Sequence, residues 1–289
     1  MLYNEFYQLR EGPFTLSPDP AFLYLSRQHR FALTLFRYGI ETRASFCLLS
    51  GEVGSGKTLL VRQLLSSLEE EVRVGLISNT SRQFNRLLPW VCLAFGLDHA
   101  GKDDATLYQL FVDFLVGEYA AGRRVVLIVD EAQNLSVDML EELRVLSNLN
   151  ADSHMVLQTF LVGQPELRDT LRLPQLRQFA QRIGIDYHLE ALSSVDAQAY
   201  VRHRLSVAGG SADLISAEAI NVAHAASGGV PRLMNQLCDT ALVYGFAEQR
   251  PSIDAELMSQ VVTERAAGGI FAVRNAASVA RAPAHETAV

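Results

Sequence analysis

Residues 51–58 read GEVGSGKT, set between an apolar run, Ser45-Phe-Cys-Leu-Leu-Ser50, and a segment at 59–71 patterned for a helix. No other feature narrows the fold as much. A glycine-rich loop that joins a strand to a helix and ends in Lys-Thr is a phosphate-binding loop. Its glycines let the backbone approach an anion and take positive φ, and the helix start presents N–H groups to the charge. Gly51, Glu52, Val53, Gly54, Ser55, Gly56, Lys57, Thr58 and Leu59 are therefore candidate nucleotide-binding residues. Backbone N–H groups from Gly54 to Thr58 would wrap the phosphates, Lys57 would bridge the outer ones, and the Thr58 hydroxyl would ligate Mg²⁺. Lysine usage sharpens the assignment: of 25 Lys+Arg, only Lys57 and Lys102 are lysine. A compact ammonium fits between β- and γ-phosphates where a planar guanidinium does not.

The rest of the chain alternates strand and helix patterns up to residue 192. A helix is expected at 26–38, with apolar Phe31, Leu35 and Tyr38 on one side. Strands are expected at 72–79, 125–131, 155–164 and 185–192, and helices at 82–97, 105–121 and 137–150, followed by two short proline-opened helices. Such alternation predicts a parallel sheet covered on both faces. From 193 to 266 no strand is expected; four helices, at 195–208, 217–226, 231–249 and 253–266, form a small helical lid. The domains are thus a lead-in at 1–44, an α/β core at 45–192, the lid at 193–266, and a disordered or weakly helical tail at 267–289. A net charge of −7 gives no global attraction to nucleic acid, although Arg27, Arg30, Arg37 and Arg43 form a local basic patch. Cys47, Cys92 and Cys238 stand alone in apolar stretches and read as reduced core residues. No apolar run reaches 18 residues, and the first fourteen residues do not read as a signal peptide.

Residues 125–131, VVLIVDE, supply a second half of the site. An apolar strand that ends in Asp puts that carboxylate at the C-terminal sheet edge, where ligands bind in such folds. Asp130 would hold Mg²⁺, and Glu131 would accept a proton from an attacking water. Adjacent acids of this kind point to hydrolysis, and no Asn-Lys-x-Asp guanine motif is present. Gln164 ends the next strand and would sense the γ-phosphate. Arg177 and Arg182 precede the fifth strand, where an arginine would enter a neighbouring subunit's site. Arg232, in GGVPRLMNQL, opens a helix after a glycine hinge and would fold back onto the γ-phosphate.

Together these motifs resemble an AAA+ ATPase, a P-loop NTPase with a three-layer α/β sandwich, a parallel five-stranded sheet and a helical lid. More narrowly, the chain resembles the general secretion pathway protein A (ExeA-like) family. The resemblance is carried by residues 13–40, 51–58, 127–149, 161–183 and 228–239, and covers roughly 3–265. It implies a cytoplasmic Mg-ATPase, peripheral at the inner membrane, that serves type II secretion, pilus biogenesis or exopolysaccharide export. It also implies homo-oligomers with shared sites, protein partners in an envelope machine, and a sheet ordered 5-1-4-3-2. By the resemblance, Tyr38 and Ile40 border the adenine. The secretion members continue into a transmembrane helix and a peptidoglycan-binding domain, so a shorter pilus- or polysaccharide-associated member is expected here. The alternative is a DNA-associated AAA+ regulator resembling transposition ATPases.

Overall fold

The computed structural model describes residues 1–16, 19–68, 71–78, 86–151 and 154–268. The chain forms two compact units. One comprises Arg27–Glu52 and Lys57–Leu189, the other Met1–Ser26, Val53–Gly56 and Glu190 onward.

The first unit is built on a parallel sheet of β1 (Phe46–Gly51), β2 (Val72–Ile77), β3 (Arg124–Val129), β4 (Leu157–Gly163) and β5 (Ile183–Leu189). The strand order is β2-β3-β4-β1-β5, which is the expected 5-1-4-3-2 read from the other edge. Every residue of β1 and β4 is buried, because strands covered on both faces need apolar side chains on both. The edge strands β2 and β5 carry mixed patterns. Right-handed crossovers place α2 (Lys57–Leu65) on one face and α3 (Leu88–Ala94), α4 (Asp104–Ala120), α5 (Val137–Leu146), α6 (Pro165–Leu171) and α7 (Arg177–Ala180) on the other. The helix α1 (Arg27–Glu41) packs beside α2 and against β5, with Phe36 edge-on to Phe160 at 5.3 Å between ring centroids. On the opposite face Phe46 meets Phe179 at 4.4 Å and joins a core with Leu107, Phe111 and Leu140.

Several elements depart from the sequence reading. In α1, Phe31 and Tyr38 point outward, 53 % and 57 % exposed, while Ala32, Leu33, Phe36 and Ile40 are buried. Both sets have helical spacing. The second wins because Gly39 lies on its side: a Cβ there would sit 2.7 Å from Cys47 Sγ and 2.8 Å from Ile185 Cδ1, so only glycine permits the approach. The helix α2 stops at Leu65 rather than near 71, as the Ser66 and Ser67 hydroxyls turn back to the carbonyls of Gln63 and Leu64. The helix expected at 82–97 is confined to α3, opened by Pro89; its first residues lie outside the described ones. Strand β2 ends at Ile77, and Asn79 lies outside the described residues. A helix was expected to run to 150, but α5 ends at Leu146, and Asn150–Ala151 pairs antiparallel with His154–Met155. Among the described residues no helix is long and apolar enough to cross a membrane, and Cys47, Cys92 and Cys238 are free and buried.

The second unit holds α8 (Ser194–Val207), α9 (Ala217–Ser227), α10 (Pro231–Ala247) and α11 (Ala255–Gly268). Ser193 and Ser216 cap α8 and α9 through their hydroxyls, and Gly228 closes α9 in the left-handed conformation. An isolated bridge, Ile215 with Ile253, is the one strand-like pairing among its described residues. The N-terminal segment belongs to this unit: Tyr3, Tyr7, Leu9, Phe14 and Phe22 share its core with Val201, Leu237 and Val261. Buried Arg204 fastens that segment, donating to the carbonyls of Pro13 and Thr15 and to the Tyr200 hydroxyl beneath the Phe22 ring. The lead-in read as one segment is thus divided, with residues 1–26 in the helical unit and 27–41 in the sheet unit. The tail from 269 lies outside the described residues.

Candidate active site

The C-terminal end of β1 and the start of α2 position the phosphate-loop residues of the sheet unit. Lys57, the first residue of α2, is buried, and its Nζ donates to Gly51 O at 2.8 Å and Glu52 O at 2.9 Å. Burial lowers its pKa, opposed by the charges of Glu131, Asp130 and Glu52. The next residue, Thr58, donates its hydroxyl to Asp130 Oδ2 at 2.8 Å. Asp130 follows β3 directly and is 4 % exposed. Burial raises its pKa, and the Thr58 hydroxyl and the Glu131 N–H, 2.9 Å from Oδ1, oppose that rise.

Glu131 sits at φ 55°, in the left-handed region that a non-glycine residue adopts only when its surroundings hold it there. Two amides hold its carboxylate: Gln133 Nε2 donates to Oε2 at 2.6 Å and Gln164 Nε2 to the same oxygen at 3.3 Å. Gln133 also accepts the Gln164 backbone N–H at 3.0 Å, so one side chain locks both the acid and the strand-end glutamine. The sequence reading missed Gln133. Its signal was the small residue before Gln164: a Cβ at Gly163 would lie 2.9 Å from Gln133 Oε1.

A second missed residue is Arg168 on α6. It donates to Ser50 Oγ at 3.0 Å and bidentately to Asp186 at 2.7 and 2.6 Å, and Ser50 Oγ lies 3.0 Å from His188 Nδ1. This cluster ties the last residue before the phosphate loop to α6 and β5. Of the two pre-strand arginines, Arg182 donates to Ser147 Oγ at 2.8 Å, whereas Arg177 is exposed. Tyr38 and Ile40 do not share a surface, since they lie on opposite sides of α1, one exposed and one buried.

In the helical unit Arg232 is exposed in the first turn of α10, and its backbone N–H donates to Gly54 O at 3.3 Å. Gly54 has φ 81°, and a Cβ there would lie 2.4 Å from Arg232 Cβ, so this position must be glycine on two grounds. Among the described residues no group of three or more His, Cys, Asp or Glu is arranged to hold a metal. One carboxylate and one hydroxyl are the oxygen donors expected for Mg²⁺ shared with substrate phosphates.

A strand-end acid pair beside a glycine-rich loop, on a sheet ordered 5-1-4-3-2, is what relatives should share. A family model described as an AAA domain matches residues 40–171. Fold and match together make the chain an AAA+ P-loop protein. Within that class it belongs with the general secretion pathway protein A. It is 46 % identical to that protein from Aeromonas hydrophila over 248 residues, 85 % of this chain and 45 % of the relative. The chain therefore spans a little under half of the relative's length. Among solved structures, Drosophila ORC bound to DNA matches with a TM-score of 0.65 at 16 % identity, over 93 % of this chain and 67 % of that one. Cdc6p from Pyrobaculum aerophilum matches at 0.64 and 15 %, over 87 % and 70 %. The Walker-type ATPase of Pyrococcus abyssi matches at 0.59 and 15 %, over 87 % and 76 %. At such identities the likeness is one of fold.

Proposed function

We propose that the protein is a Mg-dependent ATPase that acts as a homo-oligomer, on the cytoplasmic side, to power or regulate a cell-envelope export system. The observation that carries this reading is the Glu131 carboxylate, held by Gln133 and Gln164 beside the buried Asp130–Thr58 pair. Residues from Gly51 to Leu59 bind the phosphates, with Lys57 on the outer two. Thr58 and Asp130 would hold Mg²⁺, which when bound neutralises charge that builds on the transferring phosphoryl group. Glu131 takes the proton of the attacking water, a role worth about 10²- to 10⁴-fold in rate. Gln164 orients that water or the γ-phosphate, and Gln133 keeps both groups in register. Arg232 serves as a lid sensor. Arg177, exposed, supplies charge to a neighbour's site, worth roughly 10³- to 10⁵-fold, and Arg182 supports it from the Ser147 contact. The export role rests on the relative's name, general secretion pathway protein A; type II secretion, pilus and exopolysaccharide machines are the candidate settings.

The test is Glu131→Gln. ATP affinity should be kept while phosphate release falls about 10²- to 10⁴-fold. Undiminished release would remove Glu131 from its role. A wild-type protein that releases no phosphate from Mg-ATP, alone or concentrated, would remove the ATPase reading itself.

A further inference from the structure

Two surfaces of the sheet unit are complementary and cannot meet within one chain. The first is the outward side of α1. Phe31 and Tyr38 stand exposed on it, Arg27 and Arg37 are exposed beside them, and the turn that follows adds Arg43. Residues 27–43 carry four arginines against one carboxylate, Glu41, in a chain whose net charge is −7. The second surface is a cavity of about 680 Å³ formed by α3, α4 and α5. Its apolar walls include Tyr108 and Val145, 37 % and 45 % exposed, and its rim carries Asp104, Asp138, Glu141 and Glu142, of which Asp104 is paired with Arg86 and Glu141 with Arg144. The helix α1 lies on one face of the sheet at its β5 edge. The cavity opens on the opposite face, among the helices that flank β3 and β2.

We infer that the outward side of α1 docks into the α3–α5 cavity of a second copy of this chain. Exposed aromatics ringed by arginines fit an apolar cavity rimmed by carboxylates. Aromatic anchors in a pocket supply affinity, while the charges set register and attraction. Because the two surfaces differ and lie on opposite sides of the unit, the contact is head-to-tail. Each copy leaves one surface of each kind open, and the assembly grows into a ring or a filament. The inference rests on the proposed oligomer and names its interface.

Two variants test it, one on each surface, both away from the residues assigned to nucleotide chemistry. Arg37→Glu combined with Phe31→Ala disables the α1 side, and Val145→Arg disables the cavity. Mass is read by light scattering and sedimentation at low and high salt, with circular dichroism to establish that each variant is folded. Wild type should associate beyond a dimer at low salt and less so at high salt. Each variant alone should be monomeric. An equimolar mixture should give dimers and nothing larger, because it holds one intact pair of surfaces. Variants that associate as wild type does would overturn this interface and leave the oligomer standing, whereas a wild type that stays monomeric at every concentration would overturn both. A duplex-DNA titration completes the set. If the α1 variant lost DNA binding while its self-association was unchanged, the surface would be assigned to nucleic acid and the inference would fall.

Discussion

Gln133 occupies an ordinary place in the string DEAQN, two residues past the acid that its amide holds. Its weight comes from having both ends of the side chain engaged, the Nε2 on Glu131 and the Oε1 on the Gln164 backbone. Gln133→Ala should therefore cut turnover by about 10²-fold with little change in KM, because misplacing a reacting group by an ångström costs that much while binding is untouched. Steady-state phosphate release checks it, and an effect confined to KM would refute the positioning role. Asp130 makes a different prediction. Burial holds its carboxyl above the ordinary value of 3.8, so the folded chain keeps that proton more readily than the unfolded one. Ionising Asp130 then costs stability: the penalty is absent at pH below 3.8 and grows as pH rises toward the folded value. Asp130→Asn removes the titration. In metal-free buffer, the stability of wild type minus that of the variant should fall as pH rises through this window. Denaturant melts at several pH values would show it, and a flat difference would contradict it.

At the scale of elements, the site depends on strands that end together. Ser50 of β1 pairs in register with Gly163 of β4 and with His188 of β5, and Arg168 bonds to Ser50 from α6. Gly163 is where this alignment is tightest. A methyl there would meet Leu167 Cδ2 at 2.8 Å and Gln133 Oε1 at 2.9 Å. Gly163→Ala should push Gln133 off Glu131 and lower kcat by an amount similar to the loss of Gln133 itself, with nucleotide affinity retained. A stopped-flow comparison of binding and turnover separates the two, and a variant with wild-type kcat would show that Gln133 has room to move. The elements themselves were largely legible. The buried strands announced themselves as unbroken apolar runs, and the helices of the second unit fell within two residues of their expected bounds. Where the reading failed, two signals competed locally. In α1 two apolar sets shared the helical period, and only the approach of Cys47 and Ile185 at Gly39 selected between them. At the end of α2, serine hydroxyls took the carbonyls that another turn would have used.

At the scale of the molecule, each unit is closed by contacts between distant parts of the chain. Arg204 reaches the carbonyl of Pro13 across 191 residues and stacks on Phe22. Arg204→Met would leave two carbonyls of the N-terminal segment without their donor, at a cost of roughly 1–3 kcal/mol. The expected result is faster proteolysis within residues 1–26 with the sheet unit intact; protease resistance equal to wild type would show that the aromatic contacts alone hold the segment. The sequence by itself determined where the candidate chemistry lies. A phosphate loop is a contiguous run whose glycines, lysine and threonine act through their own backbone, and an acid at the end of a buried strand is placed by the strand. Tertiary structure alone decided which side of α1 faces solvent, that the lead-in is divided between two units, and that Gln133 and Arg168 belong to the site. Those choices depend on contacts that reach as far as 191 residues along the chain, and a hydrogen bond or close approach of that kind leaves no periodicity in the sequence to read.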